Sequence, residues 1–188
     1  MSSSYLYSIG HSNKSVEELI RELRLYNIQY LIDVRSTPYS KFHPQFNKEQ
    51  IEIAIENTGD IKYGYMGDVI GGMPKNSQCY TDGKVDYEKM KEMESFKEGI
   101  ERLIKANDLK YKTCIMCSEG DPKMCHRSKL IGETLRERGI ILHHICKDQR
   151  GNTILKNQID VINEVNSGVN LVNLFGETTN LTSRKAYV

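Results

Sequence analysis

The chain contains 188 residues, 38% of them hydrophobic, and its 26 basic and 25 acidic residues leave a formal charge of +1. This length suits one domain with its own core, and the near-neutral charge gives no global electrostatic basis for binding nucleic acid or membranes. No run approaches the roughly 20 apolar residues of a membrane helix, and the N-terminus lacks a signal-peptide pattern. Five cysteines, an odd number, show no disulfide framework. We therefore expect a cytoplasmic protein with reduced thiols.

Strand-like and helix-like segments alternate along the chain. Short apolar runs predict strands at residues 5–9, 30–34, 61–66, 112–116 and 140–145. Helical spacing of apolar residues predicts helices at residues 15–26, 47–59, 86–106 and 123–139, followed by a short helix at 159–162. The residues from 67 to 84 are rich in Gly, Pro, Ser, Asn and Asp, which predicts a long loop.

This alternation predicts a single α/β domain over residues 1–165, followed by a C-terminal tail over residues 166–188. We expect a mostly parallel five-stranded sheet with helices on both faces, giving three layers. In such folds, ligands bind beyond the carboxyl ends of the strands. The polar residues that follow four of the predicted strands should therefore share one rim of the sheet.

Residues 113–127, TCIMCSEGDPKMCHR, concentrate the reactive side chains of the chain. Cys114 and Cys117 have C-x-x-C spacing, but residues three apart on a strand point to opposite faces. We therefore interpret Cys114 as a core residue rather than half of a redox pair. Cys117 stands at the strand end, and Cys125 stands near the start of the next helix, where N–H groups favour a thiolate. The alternative for Cys125 is plain buried packing.

We assign roles to these rim residues by side-chain type. The acid–base and nucleophile candidates are Cys117, Glu119, His11 and His126. The substrate-binding candidates are Ser12, Asp33, Arg35, Tyr39, His43 and Arg127. Cys117 and Cys125 are candidate ligands for zinc or iron, with His126 and Glu119 or His11 able to complete the set. The alternatives are structural: the arginines could form ion pairs with Asp33 or Glu119, and the loop aromatics could simply pack.

Four motifs occur in order: YSIGHSN, IDVRSTPYSKFHPQFN, YGYMGDVIGG and MCSEGDPKMCHR. Together they resemble the family catalogued as domain of unknown function 488, over about residues 5–149. The resemblance implies an α/β domain with its signature residues on the rim. They include Gly10, His11, Ser12, Asp33, Arg35, Pro38, Tyr39, Phe46, Asn47, Gly71, Gly72, Cys117, Glu119, Cys125, His126 and Arg127. The family name carries no activity.

Three functional hypotheses follow from the rim residues. The first is an enzyme with a rim pocket for an anionic substrate, related to nucleotides or nucleic acids. The second is a rhodanese-like or phosphatase-like cysteine enzyme, although Arg127 lies ten residues after Cys117, farther than the short cradle of such enzymes allows. The third is a non-catalytic module that binds nucleotides or associates with DNA. In the tail, NLVNLFGE at residues 170–177 loosely resembles a peptide that binds a bacterial sliding clamp.

Overall fold

The computed structural model describes residues 4–166 and 182–186. For residues 165, 166 and 182–186 it describes the backbone alone. In chain order its elements are β1 (Leu6–Gly10), α1 (Val16–Leu25), β2 (Tyr30–Asp33), α2 (Lys48–Glu56), β3 (Lys62–Tyr65), α3 (Gly67–Ile70), β4 (Tyr80–Thr81), β5 (Lys84–Asp86), α4 (Tyr87–Lys91), α5 (Glu94–Asp108), β6 (Thr113–Cys117), α6 (Glu133–Glu137), β7 (His143–Lys147), β8 (Thr153–Asn157), α7 (Gln158–Asn166) and β9 (Thr182–Ala186). Short 3-10 turns cover Pro44–Phe46, Ser77–Cys79 and Pro122–Met124, and a π-helix covers Arg127–Gly132.

The central sheet has the strand order β3-β2-β6-β1-β7-β8. All neighbouring strands are parallel except β7 and β8, which pair antiparallel. The predicted α/β class and all five predicted strands are confirmed. The predicted count of five strands is one short, because β8 adds an antiparallel edge strand directly after a tight turn.

Helices cover both faces of the sheet and enclose two hydrophobic cores. On one face, Leu19 and Leu23 of α1 pack with Ile51 and Ile55 of α2 over the sheet residue Met116. On the other face, α5 and the segment around α6 contribute a second set, which includes Phe96, Ile100, Leu103, Leu130 and Leu135. The predicted three-layer arrangement is therefore present.

Some predicted helices have different boundaries. Ser15 caps α1 as expected, since its side chain accepts a hydrogen bond from the Glu18 N–H at 3.1 Å. The helix predicted at residues 86–106 is divided into α4 and α5, with Asp86 capping α4. The helix predicted at 123–139 consists of a 3-10 turn, the π-helix and α6. A π-helix carries one extra residue per turn and is frequent at functional sites.

The predicted long loop after β3 and the predicted tail are linked by a small second sheet. The loop contains α3, a 3-10 turn and the β4–β5 hairpin. Strand β9, inside the predicted tail, pairs antiparallel with β5. The sequence at residues 170–177 that resembles a clamp-binding peptide lies outside the described residues. None of the described helices combines the length and apolar character needed to cross a membrane.

The strand order creates a crevice between β2 and β6 at the carboxyl rim. The chain leaves β2 towards β3, on one side, and leaves β6 towards β7, on the opposite side. Connections that diverge from neighbouring parallel strands leave a gap at their carboxyl ends, where ligands bind in open α/β sheets. The fold therefore favours a site between the segment after β2 and the segment after β6.

Candidate functional site

A cleft of about 270 Å³ occupies this crevice. Arg35, Ser36 and Thr37 line it from the β2 side, and residues 117–119 line it from the β6 side. Its other walls are formed by Gly72, Met73, Tyr87, Met124, Cys125, His126 and Lys129. The cleft thus collects five of the residues predicted from the sequence: Arg35, Cys117, Glu119, Cys125 and His126.

Cys117, Cys125 and His126 form a compact buried cluster at the base of the cleft. Cys117 ends β6, and Cys125 follows a 3-10 turn that Asp121 caps by accepting a hydrogen bond from the Lys123 N–H. The His126 Nδ1 atom lies 3.8 Å from Cys117 Sγ and 3.6 Å from Cys125 Sγ. All three potential ligand atoms lie within 4.8 Å of one another, and no other group of this kind occurs in the part of the chain that the structure describes.

The His126 ring is held with one nitrogen facing the sulfur atoms. Its Nε2 atom lies 3.2 Å from the Val34 carbonyl oxygen, which can only accept a hydrogen bond, so Nε2 carries the proton. Nδ1 therefore presents its lone pair to the two cysteines. Gly72 packs against the ring, and a Cβ atom at that position would lie 2.8 Å from His126 Cγ. The absence of a side chain at Gly72 is what allows this close approach.

The pKa values of the two cysteines are shifted in opposite directions. Burial alone would raise the pKa of Cys125, but a hydrogen bond from Cys117 and the positive charge of Arg127 outweigh it and lower this pKa to about 6. The same hydrogen bond, together with burial, raises the pKa of Cys117 to about 12. The Cys125 side chain, as a thiolate, can act as a metal ligand or as a nucleophile.

Arg127 lies behind the cleft, not inside it, and its side chain is fully buried. Its Nε donates to Cys125 Sγ at 3.3 Å, Nη1 donates to Ser8 Oγ at 3.2 Å, and Nη2 donates to the Glu119 carbonyl oxygen at 2.5 Å. These contacts orient the thiolate and fix the backbone after β6. Arg127 is therefore a residue that positions the cluster.

A buried chain of hydrogen bonds continues from Arg127 into the sheet. Ser8 Oγ lies 2.6 Å from His144 Nδ1, and His144 Nε2 lies 2.7 Å from Gln158 Oε1. The Gln158 amide nitrogen in turn donates to the Ser128 carbonyl oxygen at 3.0 Å and to Glu133 Oε1 at 2.8 Å. The Gln158 Oε1 atom can only accept a hydrogen bond, so His144 Nε2 carries the ring proton. His144 Nδ1 then has a lone pair and accepts a hydrogen bond from the Ser8 hydroxyl. Burial and the charge of Arg127 lower the pKa of His144 to about 3, which keeps the ring neutral.

A second buried network holds Arg35. Its Nε and Nη2 form a two-pronged ion pair with Asp33, at 2.9 and 2.6 Å, and Nη2 also donates to the Phe46 carbonyl oxygen at 2.7 Å. Nη1 lies 3.2 Å from His11 Nε2, which must accept because a guanidinium only donates. His11 Nδ1 then donates to the Ser12 carbonyl oxygen at 2.9 Å. Burial and the charge of Arg35 lower the pKa of His11 to about 4.

The remaining predicted site residues lie away from the cleft. Ser12, with a φ of 47°, lines a neighbouring groove. Tyr39 is exposed and donates to Glu49 Oε1 at 2.7 Å, and His43 contacts the edge of the His11 ring. Cys114 points to the opposite face from Cys117 and belongs to the other core, which agrees with its interpretation as a core residue.

The sequence interpretation missed several residues that shape the site. Ser8, His144 and Gln158 form the buried chain behind Arg127, and Met73, Met124 and Lys129 line the cleft. Ser8 and His144 are polar residues inside apolar strands, which was a usable signal. No sequence pattern placed Met73 and Met124 at the cleft, because their position depends on how segments that are distant in the sequence pack together.

Comparison with protein families matches residues 15–134 to the family described as domain of unknown function DUF488. Comparisons with curated proteins and with solved structures found no match. The matched segment runs from the cap of α1 into α6, and includes both β2 and β6, whose carboxyl ends border the cleft. Since the match covers well over half of the chain, the protein belongs to the DUF488 family.

Proposed function

We propose that this protein is an enzyme that binds one zinc ion through Cys117, Cys125 and His126 and hydrolyses a substrate bound in the cleft. The observation that carries this proposal is the spacing of the three ligand atoms. Bonds of about 2.3 Å to sulfur and 2.05 Å to nitrogen, at a tetrahedral angle, separate sulfur from nitrogen by about 3.6 Å. The two sulfur–nitrogen distances in the cluster are 3.8 and 3.6 Å. Both sulfur–nitrogen distances therefore match a tetrahedral zinc site, and the two sulfur atoms lie within 4.8 Å of each other.

The groups around the cluster also suit a metal site. Histidine ligands of metals usually donate their other ring N–H to a carbonyl or carboxylate, as His126 does towards Val34. Arg127 donates to Cys125 Sγ, and this hydrogen bond would orient the sulfur atom as a ligand. Two thiolates and one imidazole favour zinc over the hard cations, which prefer oxygen ligands.

Three protein ligands leave a fourth position, which is typical of catalytic zinc. Zinc in such a site supplies Lewis-acid chemistry and lowers the pKa of a bound water. The Glu119 side chain lines the same cleft, is exposed, and forms no hydrogen bond or ion pair with any described residue. We assign Glu119 the role of general base. The cleft is also lined by two basic residues, Arg35, which is paired with Asp33, and Lys129. An anionic, nucleotide-related substrate is part of the proposal.

Metal analysis of matched cysteine variants tests the proposal. The purified protein should retain about one zinc per chain, and Cys117→Ser or Cys125→Ser should lose it together with hydrolytic activity. Cys146→Ser is the control, because it removes a buried thiol that is outside the cluster. Zinc retention equal in all variants, or iron in place of zinc, would contradict the assignment. Zinc without hydrolysis would favour the non-catalytic binding module.

A thiol-centred enzyme of the rhodanese or phosphatase kind is the second candidate. The hydrogen bonds from Arg127 to Cys125 Sγ favour it, since they stabilise a thiolate. Against it, Arg127 is fully buried and does not line the cleft, so it cannot cradle an oxyanion there. A persulfide or phosphocysteine on Cys125, detected by mass spectrometry after incubation with thiosulfate or an aryl phosphate, would select this candidate over zinc chemistry.

A further inference from the structure

We propose that the substrate is a planar heteroaromatic ring with an exocyclic amine, such as a nucleobase, and that the reaction is its hydrolytic deamination. This inference rests on the zinc enzyme proposed above and specifies its substrate. It follows from the juxtaposition of Glu119 with the Cys117, Cys125 and His126 cluster, in a small cleft bordered by two methionines. Each of these features restricts the chemistry further.

The ligand set is the first restriction. Phosphoryl transfer usually employs oxygen-coordinated ions, often in pairs about 3.5–4 Å apart. The described residues form no second group of three potential ligands beside the first. One class of base deaminases, in contrast, uses a single zinc with histidine and cysteine ligands and a glutamate that is not a ligand. The two cysteines, the histidine and the separate glutamate of this cleft supply that set.

The position of Glu119 is the second restriction. Its backbone is held from both sides, because Arg127 donates to its carbonyl oxygen and Gly10 packs against that same oxygen. A Cβ atom on Gly10 would lie 1.8 Å from the oxygen, so only glycine permits this contact. The carboxylate stands two residues after Cys117, on a fixed backbone beside the cluster. Because Glu119 is exposed and lines the cleft, we assign it the transfer of protons between water and substrate.

The walls and size of the cleft are the third restriction. Met73 and Met124 both line it, and 45% and 47% of their surfaces are exposed. Thioether side chains make favourable contacts with aromatic rings. The volume, about 270 Å³, lies at the lower limit of ordinary small-molecule pockets. These properties suit a single flat ring system better than a peptide.

The chemistry balances without an oxidant or a second substrate. The oxygen of water forms a bond to the ring carbon that carries the amine, while Glu119 accepts a proton from the water and delivers it to the neighbouring ring nitrogen. The second water proton passes through Glu119 to the amine. The carbon–nitrogen bond then breaks, ammonia leaves, and a carbonyl remains on the ring. Amine plus water gives carbonyl plus ammonia, with no change of oxidation state.

The test measures ammonia released by the zinc-loaded full-length protein from cytosine, adenine and guanine, each as base, nucleoside, nucleotide and single-stranded oligonucleotide. At least one member of the panel should release ammonia. Glu119→Gln should reduce that rate at least about 100-fold while zinc content stays unchanged. Glu101→Gln, which changes an exposed carboxylate paired with Arg138, is the matched control and should leave the rate unchanged.

The outcomes separate this inference from the function on which it rests. Zinc bound as proposed, with no ammonia from the whole panel, overturns deamination, and hydrolysis of ester or phosphoester substrates would then keep the zinc hydrolase. Ammonia release that persists in Glu119→Gln also overturns the inference, because the glutamate would have no role. A protein that binds no zinc overturns the proposed function itself.

Discussion

At the scale of single residues, Arg127 explains most about the site. An arginine without any exposed surface needs partners for its charge and its donors, because an unpaired buried charge is costly. Arg127 finds them in the Cys125 thiolate, the Ser8 hydroxyl and the Glu119 carbonyl. It thus connects a ligand of the proposed metal, the backbone of the proposed base and the interior of the sheet.

Arg127→Lys should therefore impair both stability and metal affinity. Lysine keeps the charge but has no planar fork, so it cannot reach all three partners at once. We expect a loss of about 3 kcal/mol in the free energy of unfolding and zinc affinity weakened about 10–100-fold. Urea denaturation and competition with a zinc chelator measure the two effects. Arg102→Lys, at an exposed position, is the control, and an Arg127→Lys protein that behaves like this control would contradict the assigned role.

At the scale of elements, the π-helix is fixed to the sheet by polar contacts. Ser8 of β1, His144 of β7 and Gln158 of α7 form one chain of buried hydrogen bonds that ends at Arg127 and Ser128 of the π-helix. A buried hydrogen-bond network of this kind favours one arrangement of its elements. The extra residue of the π-helix is thus held in place beside the ligands Cys125 and His126.

Ser8→Ala should reveal how much this chain contributes. The substitution leaves one N–H of Arg127 and the Nδ1 atom of His144 without their partner inside a closed interior. We expect the free energy of unfolding to fall by about 1–3 kcal/mol. Ser77→Ala, which removes an exposed hydroxyl, should change it by less than about 0.5 kcal/mol. Equal urea midpoints for both variants would mean that the chain of hydrogen bonds contributes nothing.

At the scale of the whole molecule, two buried histidines make stability depend on pH. The pKa is lowered to about 4 for His11 and to about 3 for His144, mainly by burial in both cases. The unfolded chain binds these protons near pH 6.5, whereas the folded protein does not. Stability is therefore complete above pH 6.5 and falls as the pH decreases towards 4, by up to about 1.4 kcal/mol per pH unit for each histidine.

Denaturation midpoints between pH 6 and pH 5 measure this slope, above the range in which most carboxylates take up protons and below the pKa of about 6 at Cys125. His144→Gln removes one of the two groups and should reduce the slope by about half. The comparison is between slopes, so a general loss of stability in the variant does not affect it. A slope that is unchanged in His144→Gln would show that this histidine does not account for the acid dependence.

The parallel strands of the central sheet were predicted from the sequence, whereas strand β8, the β4–β5 hairpin and the π-helix were not. Apolar runs identified β1, β2, β6 and β7, because strands inside a parallel sheet require them. The edge strand β3, which is half-buried or exposed, was identified from its β-prone residues at 61–66. Strand β8 is a half-buried edge strand with Lys156 and Asn157 in it, so its pattern resembles a loop. The hairpin of β4 and β5 is too short for any periodic signal. The π-helix depends on tertiary contacts of Arg127 and Gln158, which no local pattern records.

The candidate site was predicted in part for a related reason. Reactive residue types at strand ends identified Cys117, Glu119, Cys125 and His126 together, since the carboxyl ends of parallel strands meet at one rim. The residue types alone did not distinguish side chains that face the cleft from side chains that hold the structure together. Arg35, Arg127 and His11 have reactive side chains, but their donors and acceptors largely meet one another and the backbone, which only the folded geometry reveals.

X-ray absorption spectroscopy at the zinc edge tests the central proposal most directly. The zinc-loaded protein should show two sulfur ligands at about 2.3 Å and nitrogen or oxygen ligands at about 2.0–2.1 Å. Cys125→Ser should lose one sulfur or the metal itself, while Cys146→Ser should give the wild-type spectrum. Zinc bound without sulfur, or no zinc retained after dialysis against a weak chelator, would contradict a metal site at Cys117, Cys125 and His126.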